Sequence, residues 1–287
     1  MHFVQAKGIL SQNNGMNIYR GCSHGCIYCD SRSKCYGFTH AFEDIEVKEN
    51  APGLLEQALR SKRHKCMIGT GAMCDPYLPA EKELQLTRKC LELIDRYEYG
   101  VTVLTKSNLV LRDLDLLQSI HKKTKAVVQM TLTTYDENLC RKLEPNVSTT
   151  RERFEVLMRC KELGIPTLVW MTPILPFIND TRENIEGLLD YCLQAGVQGI
   201  LVFDVGVTLR EGDREYFYQA LDRDFPGIRQ KYVSTYGNAY DIPSPHAKEL
   251  MELIQNTCTA NGMLCSPKEC FTYLHEFPER YVQQTLF

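Results

Sequence analysis

Three closely spaced cysteines near the amino terminus are the residues whose types and spacing most clearly indicate chemistry. Cys22, Cys26 and Cys29 have a C-x3-C-x2-C spacing within the sequence GCSHGCIYCDSRSKCYG, so three thiolates can converge on one centre. Structural zinc takes four protein ligands, and an electron-carrying 4Fe-4S cluster usually has four cysteines. A set of three therefore favours a 4Fe-4S cluster in which one iron is open to a small chelating molecule.

Two other interpretations of this loop are open from the residues alone. His24 or Cys35 could complete a zinc site, which would make the chain a non-enzymatic zinc-binding module. A cluster that only carries electrons is the third hypothesis. Purely structural thiols are disfavoured, because a surface loop is a poor place to bury them.

The cysteine spacing, directly after the first predicted strand, resembles the signature of the radical SAM superfamily. The wider string NIYRGCSHGCIYCDSRS is similar to the branch of that family that contains spore photoproduct lyase, and the similarity runs from about Gly15 to about Asp180. The resemblance implies that the open iron binds the amino and carboxylate groups of S-adenosylmethionine (SAM). Tyr28 occupies the position of the family's aromatic residue, which lies near the SAM adenine.

The activity that this resemblance implies is reductive cleavage of SAM to a 5′-deoxyadenosyl radical, which abstracts hydrogen from a substrate. A reductant such as flavodoxin or ferredoxin is then an expected partner. The reaction that follows is either spore photoproduct lyase-like or the modification of a peptide or small metabolite. The sequence leaves the substrate class open among nucleic acid, peptide and small molecule.

The loop after the second predicted strand reads GTGAMCDPYLPAE, from Gly69 to Glu81. In the family this loop holds the SAM amino group, usually through a GGE-like sequence, which is replaced here by the DPY form of the lyase-like branch. The resemblance thereby assigns Thr70, Gly71 and Asp75 to cofactor binding. The alternative for Asp75 is a simple turn that opens the next helix.

Two further strand ends contribute polar residues. Lys106 follows the third predicted strand, and its position resembles that of a lysine that binds the SAM carboxylate; a solvated surface lysine is the alternative. Thr131 lies nearest the family's polar position at the end of the fourth strand, where its hydroxyl could bond the ribose. Threonine is also an ordinary strand residue.

Three residues extend the resemblance further. Glu144 and Arg153 match an EP…R pattern of the branch, in which the arginine supports the cofactor site; a helix-surface ion pair is the alternative. Cys74 is a candidate hydrogen donor to a radical. Spore photoproduct lyase has its donor cysteine earlier in this loop, where this chain has Ala72, so a buried spectator thiol is the alternative.

The elements that must position these residues alternate between short β-like runs and longer helical ones, a pattern typical of βα units. Runs such as VTVLT and AVVQMTL are nearly continuous and β-branched, which favours a parallel sheet covered on both faces. Predicted strands are Met16–Arg20, Cys66–Thr70, Gly100–Thr105, Ala126–Leu132, Pro166–Met171 and Gly199–Phe203; predicted helices are Pro52–Arg63, Ala80–Tyr97, Leu109–His121, Thr149–Leu163 and Arg182–Ala195. Six such units predict an α/β fold, a partial (β/α)6 TIM-type barrel with its chemistry at the carboxyl ends of the strands.

Composition limits the class of protein. The 287 residues carry a net charge of -3, which excludes the uniformly basic surface of a general nucleic-acid binder. The longest uncharged stretch, Gly164 to Asn179, contains three prolines and is too short to span a membrane. Because the start lacks the zones of a secretory signal and the 13 cysteines suit a reducing compartment, we expect a cytoplasmic location.

The chain is expected to divide into a barrel core, residues 1–204, and a C-terminal extension, residues 205–287, that packs on the core as a substrate-side cover. Tyrosines gather where the extension's periodicity fades, and packing against the core is their commoner fate. Cys258, Cys265 and Cys270 lack an assignable fourth partner, so scattered thiols are favoured over a second cluster.

Overall fold

A six-stranded parallel sheet forms the centre of the protein, as seen in a computed structural model that describes residues 1–278. The strands follow the order β2-β5-β6-β7-β8-β9, and every neighbouring pair is parallel. They are β2 (Gly15–Met16), β5 (Met67–Thr70), β6 (Gly100–Thr105), β7 (Ala126–Thr131), β8 (Thr167–Trp170) and β9 (Gly199–Leu201). Because β2 and β9 are the two edges, the sheet is an open, partial barrel, and the predicted fold class is confirmed.

Helices cover the sheet between successive strands. Their bounds are α1 (Ala51–Ser61), α2 (Glu81–Leu84), α3 (Leu86–Arg96), α4 (Leu114–Lys123), α5 (Glu137–Leu143), α6 (Thr150–Glu162) and α7 (Arg182–Ala195). Local signals fix several ends: Thr149 and Glu152 form a capping box at the start of α6, and Gly196, with a φ of 63°, ends α7 in the left-handed conformation. No helix within residues 1–278 combines the length and apolar character needed to cross a membrane.

The prediction of one strand over Met16–Arg20 is wrong. The segment divides into β2, which joins the central sheet, and β3 (Tyr19–Arg20), which joins a small separate sheet. That sheet has the order β1-β4-β3, with β1 (His2–Val4) and β4 (Glu46–Lys48). Since β3 runs directly into the cysteine loop, this sheet anchors the loop on its amino-terminal side.

The prediction of one helix over Ala80–Tyr97 is also wrong, because the segment breaks at Gln85, whose φ is 50°. The buried carboxylate of Glu81 accepts hydrogen bonds from the backbone N–H groups of Leu86 and Thr87, at 3.1 and 3.0 Å, and caps the first turn of α3. Glu81 also accepts from Tyr19 and Arg112. A distant tertiary network thus decides the break.

The C-terminal extension is more regular than its faded periodicity indicates. It contains β10 (Gly206–Thr208), α8 (Asp213–Asp224), α9 (Ile228–Tyr236), β11 (Asp241–Pro243), α10 (Ala247–Ala260) and α11 (Pro267–His275). Strands β10 and β11 pair antiparallel. Tyr218 and Tyr232 pack with Ile27 and Tyr28 of the cysteine loop in one apolar cluster, as the commoner fate of tyrosine predicts. Residues 279–287 of the extension lie outside the described residues.

Asp213, at the start of α8, carries a buried charge that destabilises the fold at neutral pH. Its Oδ1 accepts a hydrogen bond from the Arg210 N–H at 2.6 Å, whereas its buried Oδ2 has no partner in the described chain. Burial and, to a smaller extent, the charge of Asp30 raise the pKa of Asp213 to about 6. The folded state therefore holds this proton more tightly than the unfolded state does.

Between the unfolded pKa of Asp213 and its folded pKa, stability must fall as pH rises. We expect the wild type to lose about 1–3 kcal/mol of unfolding free energy relative to Asp213→Asn between pH 4 and pH 7. Urea unfolding at half-unit pH intervals measures the difference. A gap between the two proteins that does not change over this range would contradict the prediction.

Candidate active site

A cavity of about 660 Å³ lies at the carboxyl ends of the parallel strands, where the fold class places chemistry. This volume is typical of sites for small molecules. Its lining includes the cysteine loop, the loops after β5 and β6, the ends of β7 and β8, and the strands β10 and β11. The predicted site residues in the lining are Cys22, Cys26, Tyr28, Cys29, Gly71, Cys74, Asp75, Lys106 and Thr131.

The three cysteine thiols differ in their acidity. A hydrogen bond with the Cys74 thiol and, beyond it, the charge of His24 lower the pKa of Cys22 to about 6. Burial raises the pKa of Cys29 to about 11 and raises that of Cys26 well above its usual range. At neutral pH, metal binding must therefore displace protons from Cys26 and Cys29.

The cysteine loop fits an iron-sulfur cluster better than a zinc ion. Tetrahedral zinc would bring thiolate sulfurs to about 3.8 Å from one another, given a Zn–S distance of about 2.3 Å. Among residues 1–278, no three ligand atoms from this loop lie within 4.8 Å of one another. Cys35 is exposed, and its Sγ lies 3.4 Å from an Arg210 guanidinium nitrogen. The wider spacing suits a cubane, in which each thiolate binds a different iron.

His24 is buried in the cavity wall and contacts Asp75. Its Nε2 lies 3.1 Å from Oδ2 of Asp75, although neither ring nitrogen has an aligned hydrogen-bond partner within the described chain. Burial alone would lower the pKa of His24, but the charge of Asp75 raises it on balance. A buried ring with free hydrogen-bonding capacity marks a place where a bound molecule can supply the partner.

Asp75 ties three loops together at the cavity. Its Oδ1 accepts from the N–H of Tyr77 at 2.8 Å and the hydroxyl of Thr105 at 2.7 Å, and its Oδ2 accepts from the N–H of Lys106 at 2.7 Å. Burial alone would raise the pKa of Asp75, but His24 and these donors hold it below its ordinary value. The carboxylate therefore remains charged inside the fold. Its contact with the SAM ammonium group stays a prediction.

At Gly71, the backbone that follows β5 passes close to the backbone of β6. This residue has a φ of 101°, and a Cβ added there would lie 1.9 Å from the carbonyl oxygen of Leu104. Only glycine fits this approach. Thr70, which precedes it, is buried but is not among the residues that line the cavity.

Lys106, Tyr28 and Thr131 lie on one side of the cavity. The Lys106 ammonium is 5.9 Å from the centre of the Tyr28 ring. Thr131 ends β7 and is 3% exposed. All three residues line the same cavity. Their contacts with the carboxylate, adenine and ribose of SAM stay predictions.

A buried charged network holds Tyr28 in place. The Tyr28 hydroxyl donates to Glu144, and the Arg153 guanidinium forms an ion pair with the same carboxylate. Arg153 also donates to the carbonyl oxygens of Thr131 at 2.9 Å and Ser148 at 2.7 Å. Because both partners are fully buried, the alternative of a helix-surface pair is wrong. Arg153 lies behind the cavity wall and acts on the site through Glu144 and Thr131.

Cys74 lies beside the cysteine loop. Its Sγ donates to the carbonyl oxygen of Gly21 at 2.8 Å, and it forms a hydrogen bond with Cys22. These contacts link it to Cys22, one of the three predicted cluster ligands. Its role as hydrogen donor stays a prediction.

Part of the cavity lining was not predicted from the sequence. Trp170 and Phe203, at the ends of β8 and β9, line it together with Asp204 and Asp241. Phe203 is 55% exposed, which is unusual for so large an apolar side chain. The position of Phe203 at the end of the predicted strand Gly199–Phe203 was the available signal, since residues at this edge of a parallel sheet converge.

Comparisons with known proteins agree with this geometry. A family model described as the radical SAM superfamily matches residues 16–192. The chain is 29% identical over 252 residues to the uncharacterized protein Rv2578c of Mycobacterium tuberculosis, covering 83% of this chain and 72% of that protein. It is 34% identical over 169 residues to the uncharacterized protein MJ0683 of Methanocaldococcus jannaschii, covering 58% of this chain and 62% of that protein.

The fold is also similar to solved structures. Spore photoproduct lyase complexed with dinucleoside spore photoproduct aligns with a TM-score of 0.63 and 14% identity, over 90% of this chain and 78% of that chain. A tyrosine-to-phenylalanine mutant of spore photoproduct lyase aligns with the same TM-score, over 92% of this chain and 80% of that chain. The family model covers more than half of the chain and includes the three cysteines and the carboxyl ends of β5, β6, β7 and β8. The chain therefore belongs to the radical SAM superfamily and is an enzyme that uses a 4Fe-4S cluster and SAM.

Proposed function

We propose that this radical SAM enzyme abstracts hydrogen from a cationic or neutral organic substrate, such as a basic peptide or an amine-bearing metabolite, and that a nucleic acid is not its substrate. The observation that carries the proposal is the charge of the cavity rim. Asp204 and Asp241 are exposed and line the cavity, as do Trp170 and Phe203. Aromatic faces and carboxylates together favour ammonium and guanidinium groups.

The positive charge available in the cavity is small. Within the described residues, Lys106 is the one lysine or arginine of the lining, whereas four aspartates line it: Asp30, Asp75, Asp204 and Asp241. A protein that binds a nucleic-acid strand needs several cations along the phosphate path. If Lys106 binds the SAM carboxylate, no lysine or arginine of the lining remains for a substrate phosphate.

The proposed SAM site uses the part of the cavity lined by the cysteine loop and the carboxyl ends of β5, β6 and β7. Cys22, Cys26 and Cys29 would hold the cluster, which, when bound, supplies the electron for cleavage of SAM to methionine and a 5′-deoxyadenosyl radical. Tyr28, Lys106 and Thr131 would orient SAM through its adenine, carboxylate and ribose. Thr70, Gly71 and Asp75 would position the loop that faces its amino group.

The protein's own residues also exclude water from the reacting groups. Apolar side chains of the extension, including Val207 and Ile242, close one side of the cavity. We propose that residues 205–287 form a C-terminal unit that covers the substrate side of a core formed by residues 1–204. A reductant such as flavodoxin or ferredoxin would supply electrons to the enzyme.

The test compares three deuterated probes under anaerobic conditions with reduced enzyme and SAM. The probes are a peptide mixture rich in lysine and arginine, a matched mixture with glutamate and aspartate in their place, and an oligonucleotide that contains spore photoproduct. We expect deuterium to appear in 5′-deoxyadenosine with the basic mixture, at least about tenfold above the acidic one, because each unfavourable charge contact costs on the order of 1 kcal/mol or more.

Asp204→Asn combined with Asp241→Asn should remove this preference while leaving SAM cleavage without substrate unchanged. Asp222→Asn, an exposed aspartate on α8, is the matched control. Label transfer from the oligonucleotide or the acidic mixture, with none from the basic mixture, would reject the proposed substrate class.

A further inference from the structure

A second group of potential metal ligands lies on the small N-terminal sheet, outside the cavity. One ligand atom each from His2, His40 and Glu46 falls within 4.8 Å of the others. In the part of the chain that the structure describes, this is the one set of three or more His, Cys, Asp or Glu residues with that spacing. Two imidazoles and a carboxylate are a common donor set for zinc.

Hydrogen bonds on the far side of each ring prepare both histidines as ligands. Nδ1 of His40 lies 2.9 Å from the carbonyl oxygen of Ala41, which can only accept, so Nδ1 carries the proton. Nδ1 of His2 lies 3.0 Å from Oδ2 of Asp44, and the same reasoning applies. Metal-binding histidines almost always donate their second N–H to a carbonyl or carboxylate in this way, which leaves Nε2 for the metal.

The group is also arranged as a convergent site. Nε2 of His40 lies 2.8 Å from Oε1 of Glu46, so either a proton or a cation must lie between these two acceptor atoms. A proton shared between His40 and Glu46 would explain the contact of that pair. It would not explain why the His2 ring also approaches edge-on, with its centroid 5.0 Å from that of His40. Arg20 contacts Oε1 of Glu46 at 2.9 Å, and in the described structure the polar contacts of this carboxylate fall on Oε1. Oε2 is therefore available to a metal ion.

We propose that His2, His40 and Glu46 bind a divalent transition metal of the Zn²⁺ class, with water completing the coordination. Three protein ligands and an open position are a regular arrangement for zinc, and the absence of thiolate from the set separates it from the iron-binding loop.

The site would brace the cysteine loop from its amino-terminal side. His2 begins β1, and Glu46 begins β4, which pairs with both β1 and β3. Arg20 of β3 contacts Glu46 and also donates to the carbonyl oxygens of Tyr36 and Gly37, at 2.9 and 3.1 Å. A metal ion at this point therefore links the N-terminal strand to both ends of the segment that contains the cluster cysteines.

The experiment uses tag-free holoprotein with its cluster fully reconstituted, so that the cluster thiols are occupied. Equilibrium dialysis against ZnCl₂, with zinc and iron measured by elemental analysis, gives the stoichiometry and affinity. We expect one zinc per chain in addition to the cluster iron, and a rise in the unfolding temperature on zinc addition. His40→Ala and His2→Gln should each weaken binding by more than about 100-fold, and Asp44→Asn by about 10- to 100-fold.

His64→Ala is the matched control, since His64 is exposed and lies outside the group, and it should bind zinc like the wild type. Cys35→Ala tests whether an exposed thiol binds the zinc instead. The inference is overturned if the wild type binds no zinc, or if His40→Ala and His2→Gln, with iron content unchanged, bind it as tightly as the wild type. His2→Gln alters an exposed strand end, so it keeps the test decisive should His40→Ala fold poorly.

Discussion

Replacing Cys22 with alanine is expected to abolish cluster retention and to reduce formation of 5′-deoxyadenosine by more than about 100-fold, because losing a direct ligand exceeds the 10- to 100-fold cost of losing an outer partner. Three thiolates already leave one iron without a protein ligand, so a set of two cannot hold the cluster in one position. Among the three predicted ligands, Cys22 is also the one whose pKa is lowered, to about 6, so it is the thiolate available at neutral pH. Iron, sulfide and 5′-deoxyadenosine per chain, after reduction with dithionite, measure the effect.

Cys35→Ala is the matched control, because Cys35 belongs to the same loop but is exposed and lies outside the cavity lining. It should retain iron and SAM cleavage at the wild-type level. Full SAM cleavage by Cys22→Ala would remove the cluster assignment. A wild-type protein that binds the cluster but forms no 5′-deoxyadenosine would instead favour a one-electron carrier.

The central sheet could be predicted because its strands are buried on both faces. Val101 and Val128, for example, lie in runs of continuous apolar residues and are fully buried. The first strand could not be placed in the same way. Its two halves are only two residues long, and they join different sheets, so neither half is long enough for a periodic pattern to distinguish them.

The cysteine loop and the strand-end residues could be predicted as one site because parallel strands bring their carboxyl ends to the same edge. The contribution of Asp241 to the cavity could not. Asp241 comes from a three-residue strand that pairs with β10, and its place in the lining depends on how helices α8 and α9 return the chain. The break at Gln85 was hidden for a similar reason, since it depends on the contacts of Glu81 with Tyr19 and Arg112.

Replacing Arg153 with methionine is expected to destabilise the protein by about 3–5 kcal/mol, because it leaves the Glu144 carboxylate buried without its cationic partner. Both side chains have no exposed surface. Burial alone would raise the pKa of Glu144, and Arg153 is the main group that holds it below its ordinary value. Without Arg153 the carboxyl should take up a proton, and the hydrogen bond from Tyr28 that positions the aromatic ring in the cavity should weaken. Urea unfolding of the holoprotein under argon measures the stability.

The pH dependence of Arg153→Met distinguishes a lost charge pair from lost packing. In the wild type the lowered pKa of Glu144 gives stability that is present above the unfolded pKa and is lost as pH falls through the folded one. In the variant the raised pKa gives the opposite slope, so the two unfolding free energies should approach each other from pH 7 to pH 5. Adding Glu144→Gln should recover part of the loss, since the two residues are directly coupled.

Arg151→Ala, which removes an exposed ion pair with Glu155 on the same helix, should change stability by no more than about 0.5 kcal/mol. A loss in Arg153→Met that is the same at every pH and is not reduced by Glu144→Gln would show that this pair supports the site through packing and not through charge.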